Sequence, residues 1–279
     1  MLILAAIPLG NPADASLNLR EAIVSAKFIA AEDSRKFSRL CLDLGITYSA
    51  KIISFFEGNE IERLDELVKI LESGSDLLVV TDAGMPGISD PGYRLARAAV
   101  EKNIKIKVLP GPSAVTTALL LSGLPSDRFC FEGFAPRTSG ARKTWFENLA
   151  NETRTIIMFE APHRLLESLA DAVAVFGPNR LGAICREMTK TYEETVRGTL
   201  AELVTWSTSK EILGEITMVI AGAAVGTAEV TADQMVARVR EFEAAGMDRK
   251  AAIATVADEF DLPKRIVYAA VVDANKMSR

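Results

Sequence analysis

Between residues 2 and 221, short β-rich apolar runs alternate with segments of helical periodicity, a pattern that few folds accommodate. Strands separated by helical crossovers lie parallel, so the alternation predicts an α/β chain with largely parallel strands. In the first half the strands are expected at 2–7, 28–31, 52–55, 77–81 and 106–109, each followed by a turn bearing Gly, Pro or Asp and then a helix-like stretch. Over 60–72, Ile61, Leu64, Leu67, Val68 and Leu71 recur at helical spacing with charges opposite, and Gly74 follows as a stop signal. The pattern restarts after Leu124-Pro125, with strands expected at 129–131, 156–159, 182–185, 194–197 and 216–220, several placed for antiparallel pairing. A helix over 114–122 is expected to link the halves.

At 279 residues the chain is about twice a usual domain. The expected division is an N-terminal α/β domain over 1–116, a second α/β domain over 117–222 and a helical, helix-turn-helix-like appendage over 223–279. The small-residue stretch 221–227 marks the last boundary. Beyond it, Thr231 and Gln234 form a capping box, Asp248 suits an N-cap, and Pro263 suits a first helical turn.

An apolar share of 49% and a charged share of 25% exclude disorder and collagen-like repeats. Polar residues interrupt every apolar run short of the roughly 18 residues a membrane span needs. The apolar start lacks a basic flank and runs into Pro8, so it reads as a buried strand and not a signal; the expected compartment is the cytoplasm. Three separated cysteines and the single His163 support neither a disulfide framework nor a metal site. With 32 basic and 37 acidic side chains, net charge −5, no global positive field gathers polyanions, and any nucleic-acid contact must be local.

Chemistry concentrates in loops after strands. The segment Thr81-Asp82-Ala83-Gly84-Met85-Pro86-Gly87-Ile88-Ser89-Asp90-Pro91-Gly92 carries three glycines and two prolines. Such a stiff, side-chain-poor loop at a strand's C-terminal end is where open α/β sheets bind ligands, with Asp82 offering a carboxylate to a ribose diol or an ammonium group. Its plain alternative is a structural turn in which Asp90 caps the next helix. Ser113, in Pro110-Gly111-Pro112-Ser113-Ala114, suits an N-cap, and Ile7-Pro8-Leu9-Gly10-Asn11 follows the first strand. None of these loops is a P-loop or a dinucleotide fingerprint. Charged clusters, Glu32-Asp33-Ser34-Arg35-Lys36 and Arg186-Glu187-Met188-Thr189-Lys190, follow other strands. The stretch 133–143, with Arg137, Arg142 and Lys143, reads as a flexible cationic lid or a solvated connector. His163 stands at another strand-to-helix junction, as a helix-start hydrogen bonder or a catalyst.

Taken together and in order, these segments, with Gly123-Leu124-Pro125-Ser126-Asp127, Phe159-Glu160-Ala161-Pro162-His163-Arg164 and Gly214-Glu215-Ile216-Thr217, resemble the tetrapyrrole methylase superfamily. Within it they resemble the ribosomal RNA small subunit methyltransferase I family. The resemblance implies a two-domain α/β enzyme, usually dimeric, with folded S-adenosyl-L-methionine between the halves and a 2′-O-methylated cytidine in the decoding region of 16S rRNA as product. It implies cofactor contacts at Pro8, Gly10, Asp82, Gly84, Ile88, Ser113 and Ala114, with Phe159 and Glu160 on the adenosine side. Where relatives commonly read His-Asn-Glu this chain has Gly58-Asn59-Glu60, and Leu213 stands where they often carry a lysine.

Ribose methylation needs a positioned hydroxyl and a proton acceptor. Candidate catalytic groups are Glu187, Asp33 and Lys190, with Arg35, Arg137, Arg142, Lys143 and Lys190 gripping phosphates. Two other readings stay open: the same cofactor acting on a tetrapyrrole, and a nucleotide-sensing RNA-binding protein without catalysis. The tail, residues 228–279, holds 8 basic and 9 acidic residues, so it is no generic nucleic-acid arm, yet the helix start at Pro263-Lys264-Arg265 is suited to phosphate.

Overall fold

The computed structural model describes residues 1–224, 231–260 and 262–277. The chain divides into two compact units, Met1–Gly222 and Ala223–Arg279. Of the expected linker 221–227, the last three residues lie outside the described ones.

The first unit holds two five-stranded sheets. In the first, β1 (Leu2–Ala5), β2 (Phe28–Ala31), β3 (Lys51–Ser54), β4 (Leu77–Val80) and β5 (Ile106–Leu109) run parallel in the order β3-β2-β4-β1-β5. Helix α1 (Leu17–Ser25) follows β1, α2 (Ser34–Asp43) follows β2, α3 (Glu60–Glu72) follows β3, and α4 (Tyr93–Glu101) follows β4. The uninterrupted apolar run Leu77-Leu78-Val79-Val80 is what a strand covered on both faces requires. Leu77 and Val79 pack with Leu67 and Leu71 of α3 and Leu95 of α4. Leu78 and Val80 pack with Leu19 and Ile23 of α1 and Phe37 of α2.

Helix α5 (Ala114–Ser122) forms with the expected bounds and leads to the second sheet. There β6 (Phe129–Phe134), α6 (Ser139–Asn148), β7 (Thr155–Glu160), α7 (Leu165–Phe176), β8 (Leu181–Arg186), β9 (Glu194–Thr199), α8 (Leu200–Thr208) and β10 (Ile216–Ile220) come in turn. The order is β6-β7-β10-β8-β9, parallel between β6 and β7 and antiparallel elsewhere. Val115, Ala118 and Leu119 of α5 pack on Ile157, Ala183 and Val219, so this helix covers one face of the second sheet. The opposite face, Ile156, Met158, Ile184 and Met218, packs with Phe146 of α6, Leu169 of α7 and Leu203 of α8. The boundary expected at residue 116 thus falls inside a helix that belongs, by its packing, to the second sheet.

The second unit consists of α9 (Ala232–Ala244), α10 (Arg249–Glu259) and α11 (Lys264–Met277) around Val239, Ala252, Val256 and Val267. The capping box of Thr231 and Gln234 forms, and Asp248 accepts from the amides of Lys250 and Ala251 at 3.0 and 3.1 Å. Among the described residues no helix is long and apolar enough to cross a membrane.

Candidate active site

Because the first sheet is parallel, all its C-terminal strand ends lie along one edge, and the loops singled out above gather there. The loop after β1 is stitched to the loop after β4: the Ile7 amide donates to the Gly84 carbonyl at 2.9 Å and the Gly84 amide returns the bond at 3.1 Å. Gly84 has φ +72°, a conformation glycine adopts without strain, and a Cβ there would meet Leu9 at 3.4 Å. The Gly87 amide donates to the Pro91 carbonyl at 3.1 Å, closing the loop on itself.

This edge and the end of the second sheet enclose a cavity of about 360 Å³. Leu9, the loop after β4 and the start of α5 line one side; Phe134, Phe159, Met188 and Gly214 to Thr217 line the other. Its volume falls within the range of small-molecule sites, about 300–1,000 Å³. Of the residues expected to touch cofactor, Asp82, Gly84, Ile88, Ser113, Ala114, Phe159 and Glu160 line it; Pro8 and Gly10 flank lining Leu9 without lining the cavity themselves. Gly10 has another use. A Cβ there would fall 2.2 Å from the Lys190 stem, so its hydrogen is what lets that side chain pass.

The wall is rich in carboxylates, namely Glu32, Asp82, Asp90, Glu160 and Glu215, with Lys36 as the lining cation among the described residues. Asp82 accepts from the Asp33 amide at 3.1 Å and from Lys36 Nζ at 2.7 Å, and its own amide donates to Glu32 at 3.0 Å. Burial pushes the Glu32 carboxyl above its usual range. Burial, and then the charges of Glu32, Asp82 and Glu215, push Asp90 up to about 7. The capping role considered for Asp90 is not what forms. Gly92 stands at the N-cap of α4, and its amide donates to Glu60 of α3 at 3.0 Å. Phe134 and Phe159, with centroids 5.5 Å apart, make an aromatic wall. Ser113 occupies the N-cap of α5 but makes no side-chain cap bond, which leaves its hydroxyl available in the cavity wall.

Several expected roles are changed by the geometry. Glu160 is buried; its carboxylate pairs with Arg164 at 2.5 Å and accepts from Ser168 and the Ala161 amide, so it braces the strand end and has no free oxygen to offer. Asp33 caps α2 and holds Arg35 at 2.9 Å, and these hydrogen bonds keep it down at about 2, unsuited to proton abstraction. Burial would raise Glu187, but the Glu215 amide at 2.8 Å and Lys190 at 3.1 Å outweigh it and hold this carboxyl low. Burial would lower Lys190, yet hydrogen bonds to Glu215 and Glu187 raise it, so it stays an ammonium and cannot accept a proton. None of Asp33, Glu187 and Lys190 lines the cavity. Glu187 stands at φ 49°, and a Cβ on Gly214 would lie 2.4 Å from its carboxyl carbon, so this corner is built by a strained residue against a glycine.

The cationic stretch 133–143 is also not what the residues suggested. It is half helix, and Arg142 is fully buried, 2.8 and 2.7 Å from Asp171 of α7, with further bonds to the Pro136 and Arg137 carbonyls. Arg142 is therefore a structural clamp and is withdrawn as a phosphate contact. Arg137 and Arg35 are exposed, and Lys143 is half-exposed at 3.5 Å from Asp171. His163 is exposed in the turn Pro162–Arg164 and outside the cavity wall. Burial raises Cys41, Cys130 and Cys185 to about 11, so none is a thiolate at neutral pH. From the sequence alone, Lys36, Phe134 and Glu215 have no role and Asp90 only that of a helix cap, although all four stand in the segments singled out above.

Residues 1–204 match the family of tetrapyrrole (corrin/porphyrin) methylases. The chain is 49% identical, over 92% of its own length and 88% of the relative's, to the ribosomal RNA small subunit methyltransferase I of Mycobacterium tuberculosis. It is 39% identical to the protein of that name from Halalkalibacterium halodurans, over 96% and 93%. A uroporphyrin-III C-methyltransferase from Thermus thermophilus, solved with S-adenosyl homocysteine, superposes with a TM-score of 0.54 over 78% of this chain and 95% of its own; at 14% identity that likeness is one of fold.

Proposed function

We propose, for a chain that belongs to the ribosomal RNA small subunit methyltransferase I family of tetrapyrrole methylases, transfer of a methyl group from S-adenosyl-L-methionine to the ribose 2′-hydroxyl of a cytidine in the decoding region of 16S rRNA. The reading includes a cytoplasmic homodimer acting on the 30S subunit. The observation that carries it is the carboxylate-rich cavity between the two sheet ends, in a chain so similar to proteins named for rRNA methylation.

The lining fits the cofactor's chemistry. A sulfonium and an ammonium are cations, and five carboxylates stand in the wall, Glu160 among them already paired with Arg164. A terminal carboxylate suits the uncapped start of α5 with the Ser113 hydroxyl. An adenine ring suits the Phe134 and Phe159 faces. When bound, the cofactor supplies an electrophilic methyl carbon. The chain's part is to hold the hydroxyl about 3 Å from that carbon, to exclude water and to take up a proton. Arg35, Arg137, Lys143 and Lys190 are proposed to hold RNA phosphates.

The helical unit adds a second RNA-facing surface to the proposal. A groove between α10 and α11 is lined by Arg249, Lys250, Lys264 and Arg265 around exposed Tyr268, with no acidic residue in its wall among the described residues. Arg249 is paired with Glu243 at 2.6 Å, and cations around an aromatic suit a nucleic-acid strand.

Incubation with methyl-labelled S-adenosyl-L-methionine and, in parallel, 30S particles, free 16S RNA and uroporphyrinogen tests the function. Label on one cytidine ribose of the 30S RNA is the expected result. Label on the tetrapyrrole, or on none of them, overturns it.

A further inference from the structure

Asp33, Glu187 and Lys190 are each engaged in hydrogen bonds and lie outside the cavity; the first two are carboxylates of lowered basicity, and Lys190 stays an ammonium. Asp90 differs on every count. It lines the cavity and is half-buried, and among the described residues it makes no hydrogen bond or ion pair. The other four carboxylates of the wall are all engaged: Glu32 with the Asp82 amide, Asp82 with Lys36, Glu160 with Arg164 and Ser168, and Glu215 with Lys190 at 3.0 Å.

Its position is fixed without its own side chain. Ser89, immediately before it, is at φ 59°, and the ring closed by Gly87 and Pro91 holds the backbone on both sides. Backbone strain next to an unpartnered ionisable group in a cavity wall marks a place where the fold holds a reactive group ready at a cost to itself.

We infer that Asp90 is the proton acceptor of the methyl transfer, a role that rests on the reaction proposed above. The ribose hydroxyl gives its proton to Asp90 Oδ as its oxygen forms the new C–O bond. The C–S bond breaks with its electron pair staying on sulfur, which becomes a neutral thioether. Charge balances: the sulfonium loses its positive charge, and the carboxylate its negative one. The charged groups facing Asp90 set its readiness: Glu32, Asp82 and Glu215 favour its protonated form, and Lys36, the lining cation, is tied to Asp82. The acceptor therefore sits poised near neutral pH, where general bases work best.

Asp90→Asn keeps the shape and removes the base. The expected result is a fall in kcat of about 100-fold or more. In the wild type kcat/KM rises with pH through about 7 to a plateau, and in the variant that limb is lost. Calorimetric affinity for S-adenosylhomocysteine stays within about threefold, in keeping with a group used for proton transfer and not for holding the ligand. Independently of turnover, the side-chain carboxyl ¹³C signal of Asp90 in the ligand-free protein titrates near 7. Undiminished turnover, loss of S-adenosylhomocysteine binding in the variant, or an ordinary carboxylate titration would each overturn the assignment. A wild type that methylates no RNA would sink the function itself, whereas an active wild type with an equally active variant sinks only Asp90.

Discussion

At the residue scale the site is assembled from groups whose neighbours, more than their chemical type, determine what they can do. Asp33 and Asp90 are both aspartates at sheet ends. Hydrogen bonds from Arg35 hold the first at about 2, and burial lifts the second to about 7. Asp90 thereby carries a stability consequence. Its folded value lies above the ordinary aspartate value of 3.8, so between about 4 and 7 the native state binds more protons than the unfolded chain. Stability contributed here is present at low pH and falls as pH rises through 7. Asp90→Asn is therefore expected to melt a few degrees above wild type at pH 8 and to lose that advantage near pH 4, by calorimetry in matched buffers. Equal melting points at pH 8 would contradict the buried, unpartnered carboxyl.

At the element scale, all ten strands were legible in the residues, most within two positions of their observed ends. Runs such as Leu77-Leu78-Val79-Val80 state both their length and their burial on two faces. Helix α6 was not legible. Pro136 and Gly140 read as loop signals, and Arg137, Arg142 and Lys143 as a solvated cationic patch, because nothing local reveals that Asp171, 29 residues after Arg142, returns against it. A buried ion pair is a long-range fact. Arg142→Ala should leave Asp171 buried without its main partner and cost about 3–5 kcal/mol in urea unfolding, while affinity of the folded fraction for RNA is unchanged. A loss of RNA affinity without a loss of stability would restore the phosphate-gripping role.

The site was legible in a similar, partial way. The loops after β1, β4 and β5 announced themselves through Gly84, Gly87, Pro86 and Pro112, since so many backbone-fixing residues are not needed for a plain turn. Which side chain in those loops was unpartnered was not legible. Asp90 before a helix looks like a cap, and only the tertiary hydrogen bond from the Gly92 amide to Glu60 shows that the cap is supplied from elsewhere. Lys36 and Glu215 stood in quoted motifs without an assignment because their partners, Asp82 and Lys190, come from distant loops.

At the scale of the whole molecule, a net charge of −5 sits beside a polyanionic proposed substrate, so phosphate contact must be confined to small surfaces. The α10/α11 groove is one of them. Replacing Lys250, Lys264 and Arg265 together with alanine is expected to weaken binding of a 16S RNA fragment and to reduce the salt dependence of that binding by about one ion per residue removed. S-adenosylhomocysteine affinity should not change, and an unaltered salt slope would remove the groove from the RNA interface. The cavity between the sheet ends is the claim on which the rest stands. Its most direct test is titration of the isotope-labelled protein with S-adenosylhomocysteine, monitored by NMR at each residue. The account predicts saturable binding, one ligand per chain, with the largest shifts at Gly84, Asp90, Ala114, Phe159 and Gly214. Saturation with those signals unmoved, or no binding, would contradict it.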